Sequence, residues 1–501
     1  MLFNSFAFAI FLPIVFILYW ALPKKCQWLV ILVSSYYFYM SWNAKYALLI
    51  ACSTLVTWVS GILFGICRKK GAGLTLKKWI VAVSFLVNLS ILGFFKYFDF
   101  ALYNVNVLLE RAGLQVIERP FDLVLPVGIS FYTFQALGYT MDVYRGDIEP
   151  EKNILKYALF VSFFPQLVAG PIERSKNLLI QIAQIDQTNW KKLFDYDRIA
   201  SGLQIMLWGY FQKMVIADRI AILVNTVYDS WYFYGTVELV LAAAAFSIQI
   251  YCDFASYSTI AIGAAKVMGF TLMENFDTPY FSRSIREFWR RWHISLSTWF
   301  KDYLYIPLGG NRCGRLRRHL NMMVTFLVSG LWHGASWHFV VWGGIHGIFQ
   351  VIAAETRRIR DRIYEKTHTK CTSFSFRFGQ MVSVFLLTTF AWIFFRAASL
   401  TQACSYIGRI FTKPDWKVLT DGTIYQLGLE RVEMNILMAS LCILFAADLI
   451  KYRNRETLDV FLRRQCAWFR WLVVAVLFAF IFLFGIYGPG FDAGQFIYFQ
   501  F

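Results

Sequence analysis

Charge is what this chain has least of. Only 16% of its 501 residues are Asp, Glu, Lys or Arg, against roughly a quarter in an ordinary soluble protein. That shortage, beside 58% hydrophobic and 19% aromatic residues, excludes a string of water-soluble domains. The nine cysteines, from Cys26 to Cys466, form no C-x-x-C pair and have no histidine at zinc spacing. Neither a metal site nor a disulfide framework is indicated, and most read as small apolar packing residues. There is no G-x-S-x-G nucleophile elbow and no H-E-x-x-H helix. The turn IPLGGNR (306–312) lacks the spacing of a P-loop or a dinucleotide fingerprint, so nucleotide hydrolysis has no support. The basic n-region of a signal peptide is missing too. Lys24 and Lys25 follow the first apolar run instead of preceding it, which favours a retained first span with its N-terminus outside.

Apolar segments of membrane-spanning length recur from end to end, so the bilayer is the expected solvent. Spans are predicted at 5–21, 27–41, 46–66, 79–102, 236–268, 320–354, 378–398, 435–450 and 470–487, with another apolar run at 154–169. Basic linkers alternate with weakly charged ones, and the positive-inside rule orients the early spans out, in, out, in, out. The loop 103–122 carries one net negative charge and suits the outer side, as do the loop 400–434 and the tail after 487. The net charge of +18 then reads as cytoplasmic-side positive charge and contact with anionic lipid. The basic clusters sit between apolar spans without a recognisable nucleic-acid module, so no nucleic-acid partner is expected.

Several segments are too polar or too interrupted for plain spans. Residues 125–146 contain Pro126, Gly128 and Gly138 beside Ser130, Thr133, Gln135 and Thr140, which predicts a broken or re-entrant segment lining an enclosed cavity. In FPQLVAGPIER (164–174), Pro165, Gly170 and Pro171 rule out a continuous helix. Residues 173–198 read as a cytoplasmic loop and 199–225 as amphipathic. Asp253 lies in the span 236–268; an acid at that depth is a functional candidate, with a hydrogen-bond node between helices as the plainer alternative.

The most unusual stretch is 283–337, whose first 36 positions hold nine Lys/Arg residues. On a helix, Trp289, Trp292, His293, Leu296 and Trp299 share one face, and Arg283, Arg286 and Arg290 another. Such a helix fits the cytoplasmic interface, with the tryptophans and most arginines as anchors. Arginines near a substrate entrance also suit the phosphates of coenzyme A or phosphopantetheine. The following SGLWHGASWHFVVWGGIHG (329–347) holds three histidines and five glycines, with Gly343 and Gly347 as a close-packing pair. His333, between Trp332 and Gly334, is either a proton acceptor for an attacking hydroxyl or a helix-to-helix hydrogen-bond partner.

Five segments together resemble the membrane-bound O-acyltransferase (MBOAT) family, in its bacterial alginate O-acetylation (AlgI-like) branch. They are PVGISFYTFQ (126–135), FPQLVAGPIER (164–174), QIYCDFASYS (249–258), NFDTPYFSRSIREFWRRWHISLSTWFKDYLYIPLGGNR (275–312) and SGLWHGASW (329–337). The resemblance implies one all-α polytopic domain over 1–501, with about 11–13 transmembrane and re-entrant helices ringing a membrane-crossing tunnel. The motif core lies at about 120–350 and further transmembrane helices at about 375–501. It assigns catalysis to His333, the WHG histidine, with His293 at the second family position. His338 and His346 receive no such role and read as structural. Arg290, Arg291 and Trp292 are expected on the donor side, and Gln135, Asp253, Ser256, Trp332 and Ser336 along the tunnel.

The reaction so implied moves an acyl group, acetyl first, from a cytoplasmic thioester to a hydroxyl on the far side. The donor is acetyl-CoA or an acyl carrier protein, and no permanently bound cofactor or metal is expected. The acceptor is an exported or cell-wall polysaccharide, reached directly or through an extracytoplasmic SGNH-type relay protein, at the bacterial inner membrane. D-alanyl transfer to teichoic acid from a carrier protein is a second reading. A polytopic transporter, which broken helices and Asp253 also permit, is a third.

Overall fold

The computed structural model describes residues 1–71, 73–121, 124–185, 194–487 and 497, and within them the chain is helical without strands. Seven described helices are long and apolar enough to cross a membrane: Ala44–Lys69, Leu74–Arg111, Thr236–Met268, Trp337–Glu355, Phe374–Arg396, Arg431–Asn454 and Ala467–Phe484. Phe6–Ala21 is a shorter apolar helix. Helix starts are set by side chains that take up otherwise unpaired amide hydrogens. Ser5 accepts from Phe8, Asn153 from Leu155 and Lys156, and Ser373 from Phe376. A reciprocal Glu430–Glu433 capping box opens Arg431–Asn454.

The chain divides into two compact units, one of 1–203 with 261–273 and one of 204–260 with 274–501. In the first, Ala47–Lys69 packs against Leu74–Leu92 and Ile129–Arg145. Buried polar side chains join these helices to one another and to Ile154–Ser162. Ser53 Oγ donates to Asn88 Oδ1 at 2.5 Å, Tyr157 OH to Thr57 Oγ1 at 2.7 Å, and Ser84 pairs with Thr140 at 3.2 Å. The predicted break within 125–146 lies only at its start. Gly128 adopts φ 75°, and the helix Ile129–Arg145 then runs unbroken through Gly138 with nearly every residue buried. One helical glycine costs only about 1 kcal/mol, so neighbouring packing readily carries the helix past it. The interruption at 164–174 is real: Ile154–Ser162 ends at Phe163, and a single turn, Phe164–Leu167, precedes the next helix, Ser175–Gln184. The helix Ser175–Gln184 lies in the stretch 173–198 expected to be loop, of which 186–193 falls outside the described residues.

In the second unit the amphipathic stretch continues as helix to Asp229, with a π turn at Phe211–Ala217. The apolar run 320–354 is not one span. It folds as a hairpin of Arg315–His333 and Trp337–Glu355, because Gly334 turns extended (φ −158°) and Ser336 starts a new helix. The hairpin closes on glycine: a Cβ added at Gly330 would come within 3.3 Å of Gly343 Cα, and one at Gly343 would strike the Phe326 carbonyl. Leu400–Thr412, expected as external loop, is a helix capped by Ser399. The tail after 487, apart from Ile497, lies outside the described residues.

Candidate active site

The single helix expected across 283–299 is instead two short ones, Ile285–Arg291 and Ile294–Phe300. Ser284 caps the first by accepting from Glu287 N–H at 3.2 Å. It ends where Trp292 becomes extended (ψ 128°) and His293 takes φ 43°, ψ 55°. A non-glycine residue in that left-handed region is strained and needs outside support. The support is the segment around Asn275. Asp277 N–H donates to Arg291 O at 2.9 Å, and Ile294 N–H to Asn275 O at 2.9 Å. Asn275 Oδ1 lies 3.1 Å from His293 Nδ1 and 2.9 Å from Ser295 Oγ, while its Nδ2 donates to Ser258 Oγ at 3.0 Å.

His333 is the last residue of its helix, and the glycine-lined hairpin turn begins beside it. Its ring centroid lies 6.3 Å from that of His293. Trp332, Trp342 and Phe395 stand around it at 5.0, 5.1 and 5.4 Å. Phe254 meets His293 edge-on at 4.6 Å. Both imidazoles are buried, His293 wholly and His333 with 5% of its surface exposed. The arrangement is two imidazoles in an aromatic enclosure, near enough for one hydroxyl or carbonyl group to lie within reach of both.

The other expected site residues fall in different surroundings. Arg290 is exposed. Arg291 is held by Glu287 (3.0 Å) and Asp277 (3.2 Å), donates to Thr278, and stacks over Tyr452. Trp292 is 1% exposed and lies parallel to Phe288 at 5.5 Å; with Trp299 also buried, these tryptophans are core rather than interfacial anchors. Trp332 touches both histidines, whereas Ser336 sits at the hairpin turn, its N–H donating to Gly334 O at 3.0 Å. Asp253 faces Lys213 Nζ at 2.6 Å and accepts from Ile497 N–H at 2.9 Å. Ser256 Oγ bonds back to Asp253 O at 2.7 Å. Gln135 belongs to the first unit, where its Nε2 donates to Phe160 O at 2.6 Å, beside the break after Ser162. His338 Nδ1 meets Phe394 O at 3.0 Å, and His346 Nδ1 accepts from Trp289 Nε1 at 3.3 Å.

Sequence reasoning passed over Asn275, Ser295 and Lys213. Asn275 opens the long basic motif, but nothing in its spacing marks it as the partner of a histidine eighteen positions on.

A profile of the MBOAT, membrane-bound O-acyltransferase family, matches residues 149–400. The probable alginate O-acetylase AlgI of Pseudomonas putida is 37% identical over 90% of this chain and 88% of its own length. The peptidoglycan O-acetyltransferase of Helicobacter pylori is 34% identical over 80% of this chain and 78% of its own. The teichoic acid D-alanyltransferase of Bacillus subtilis is 27% identical over 46% of this chain and 59% of its own.

Proposed function

This chain belongs to the membrane-bound O-acyltransferase family and is a multi-pass membrane O-acyltransferase, and from that premise we propose that it O-acetylates an exported or cell-wall polysaccharide. In this reading acetyl-CoA or an acyl carrier protein supplies the thioester from the cytoplasm. The acceptor is a hydroxyl of the glycan or of an extracytoplasmic relay protein of the SGNH type. The chain sits in the bacterial inner membrane with its N-terminus outside. Acetyl is favoured over D-alanyl because the relatives named for O-acetylation match 80% or more of the chain and the D-alanyltransferases less than half.

His333 takes the proton from the attacking hydroxyl as the new C–O ester bond forms, and returns it to the thiolate that leaves as the C–S bond breaks. His293 orients or polarises one reactant. The dry aromatic walls strengthen each polar contact with the reacting groups. Because a thioester is already activated, positioning and proton removal supply the catalysis. Exposed Arg290, near the start of the site segment, suits the donor's phosphates, with Arg291 bracing the backbone beneath it. Gln135, Asp253, Ser256, Trp332 and Ser336 are proposed to border the path of the reactants.

The observation that supports this most is the meeting of His293 and His333, forty residues apart in sequence, at 6.3 Å in one buried enclosure. The test is the alkali-labile acetate of the cell envelope in a strain whose only copy carries His333→Ala. Loss of that acetate with normal protein level is expected; unchanged acetate would sink the assignment.

A further inference from the structure

The two ring nitrogens of a neutral histidine are not equivalent, and which one carries the proton decides which can act as a base or acceptor. Around His293 the surroundings decide it. Asn275 Oδ1 faces three groups: Ser295 N–H at 3.3 Å, Ser295 Oγ at 2.9 Å and His293 Nδ1 at 3.1 Å. A backbone N–H can only donate, so the amide atom opposite Ser295 N–H is the oxygen, and the alternative flip of Asn275 is excluded on chemical grounds. The other amide atom, Nδ2, then has its acceptor in Ser258 Oγ at 3.0 Å, which agrees. The Ser295 hydroxyl lies nearer that oxygen than the ring nitrogen, which is 3.5 Å away, so its proton goes to the amide. His293 Nδ1 therefore meets an oxygen and must supply the hydrogen itself.

We propose that Asn275 is a positioning residue that holds His293 as the Nδ1–H tautomer, leaving Nε2 as the nitrogen with a lone pair for the reaction. The same residue fixes the ring's direction. Its carbonyl takes Ile294 N–H at 2.9 Å while its side chain takes Ser295 N–H, so both amides after His293 are tied to one residue. That double tie supports the left-handed φ of 43° at His293. The neutral histidine side chain in water favours Nε2–H, the opposite tautomer, so the assignment is a consequence of this fold. Its catalytic importance rests on the functional reading above; the tautomer itself does not.

The chain has only six histidines, so 15N-histidine solid-state NMR of the full chain in lipid resolves them, with the His293 signals identified by their loss in His293→Ala. Wild type should show a protonated Nδ1 and an unprotonated Nε2 at His293. Asn275→Asp, which keeps the acceptor oxygen, should preserve this. Asn275→Ala should swap the proton to Nε2 and lower transfer from labelled acetyl-CoA into envelope polysaccharide by membrane vesicles at least tenfold, to the level of His293→Ala. A wild-type Nε2–H tautomer overturns the proposal even if Asn275→Ala does not fold. An unswapped tautomer in Asn275→Ala overturns it too, as does a swapped one with transfer within twofold of wild type. Full transfer by both His293→Ala and His333→Ala would overturn the functional reading instead, and the wild-type spectrum would still decide the tautomer.

Discussion

Lys213 Nζ sits 2.7 Å from Asp218 and 2.6 Å from Asp253, all three side chains buried. Forty residues beyond Asp253 in the same unit, His293 is tied through its ring to the Asn275 amide on a strained turn. Both regions bury polar groups, but they are built for different ends. In the triad both carboxylates lie within contact distance of the one ammonium, and Asp253 additionally takes the Ile497 amide. That arrangement ties Lys213, Asp218, Asp253 and Ile497 together. The described partners of His293 include an amide oxygen and an aromatic ring, and those of His333 are aromatic rings. A strained turn and an asparagine hold these imidazoles among aromatic walls. An intramembrane acid is thus no sure sign of chemistry; how its charge is matched decides.

The comparison breaks first at His333. If the histidine pair is the reactive region, His333→Ala should lower acetyl transfer by about 10²- to 10⁴-fold, the range of a lost general base, with the thermal midpoint in detergent close to wild type. A large fall in that midpoint would move His333 to the structural side.

The triad should respond in the opposite sense. Lys213→Met leaves two buried carboxylates facing each other, and breaking a buried pair typically costs about 3–5 kcal/mol. Folded protein in a thermal size-exclusion assay should drop sharply. Asp253→Asn keeps Lys213 paired with Asp218 and keeps an acceptor for Ile497, so its loss should be much smaller. Equal losses for the two variants would show that the triad does not work by charge matching. A transfer defect in Asp253→Asn at full stability would give Asp253 a part in the reaction beyond bordering its path.

What could be read from the chain divides along the same line. Spans such as 46–66, 236–268 and 378–398 were legible because membrane length and apolar composition are local properties, and Ala44–Lys69, Thr236–Met268 and Phe374–Arg396 answer to them. The glycine spacing at Gly343 and Gly347 announced close helix contact, and Gly343 meets Gly330 across the hairpin. The break at Trp292–His293 was not legible. Its cause is Asn275, brought alongside by tertiary structure, and periodicity alone carried the helix straight through. Trp292 and Trp299 look like interfacial anchors for the same reason: amphipathic spacing cannot tell a lipid headgroup from a core of Phe276, Phe288 and Trp392. Lys213 was missed because the partner that neutralises Asp253 lies forty residues upstream on another helix.

A mid-sized effect tests whether the helix hairpin serves the site or only the fold. Gly343→Ala places a methyl group against the Phe326 carbonyl of Arg315–His333, the helix whose last residue is His333. Overpacking of this kind costs about 1–3 kcal/mol. Transfer should fall by more than the stability loss explains, because the helix must shift along with its terminal histidine. Gly379, inside the helix Phe374–Arg396, where an added Cβ meets nothing within 4 Å, is the control: Gly379→Ala should leave transfer unchanged and raise stability by up to about 1 kcal/mol. Equal behaviour of the two variants would remove the hairpin from any account of the site.

The smallest expected effect separates two adjacent arginines. Arg291 has Glu287, Asp277, Thr278 and the face of Tyr452 as neighbours, so Arg291→Lys should lose the planar, multidentate fit and lower stability by about 1 kcal/mol. Arg290 is exposed, and Arg290→Ala should leave the thermal midpoint in place. If the donor's phosphates reach this face, the apparent KM for acetyl-CoA should rise several-fold in Arg290→Ala, and the increase should shrink at high salt as screening weakens the attraction in wild type. A KM that ignores both the substitution and the salt would leave Arg290 as one more positive charge at the membrane edge. The donor entrance would then have to be sought among the basic residues of 312–318, where Arg312, Arg315 and Arg317 are likewise exposed.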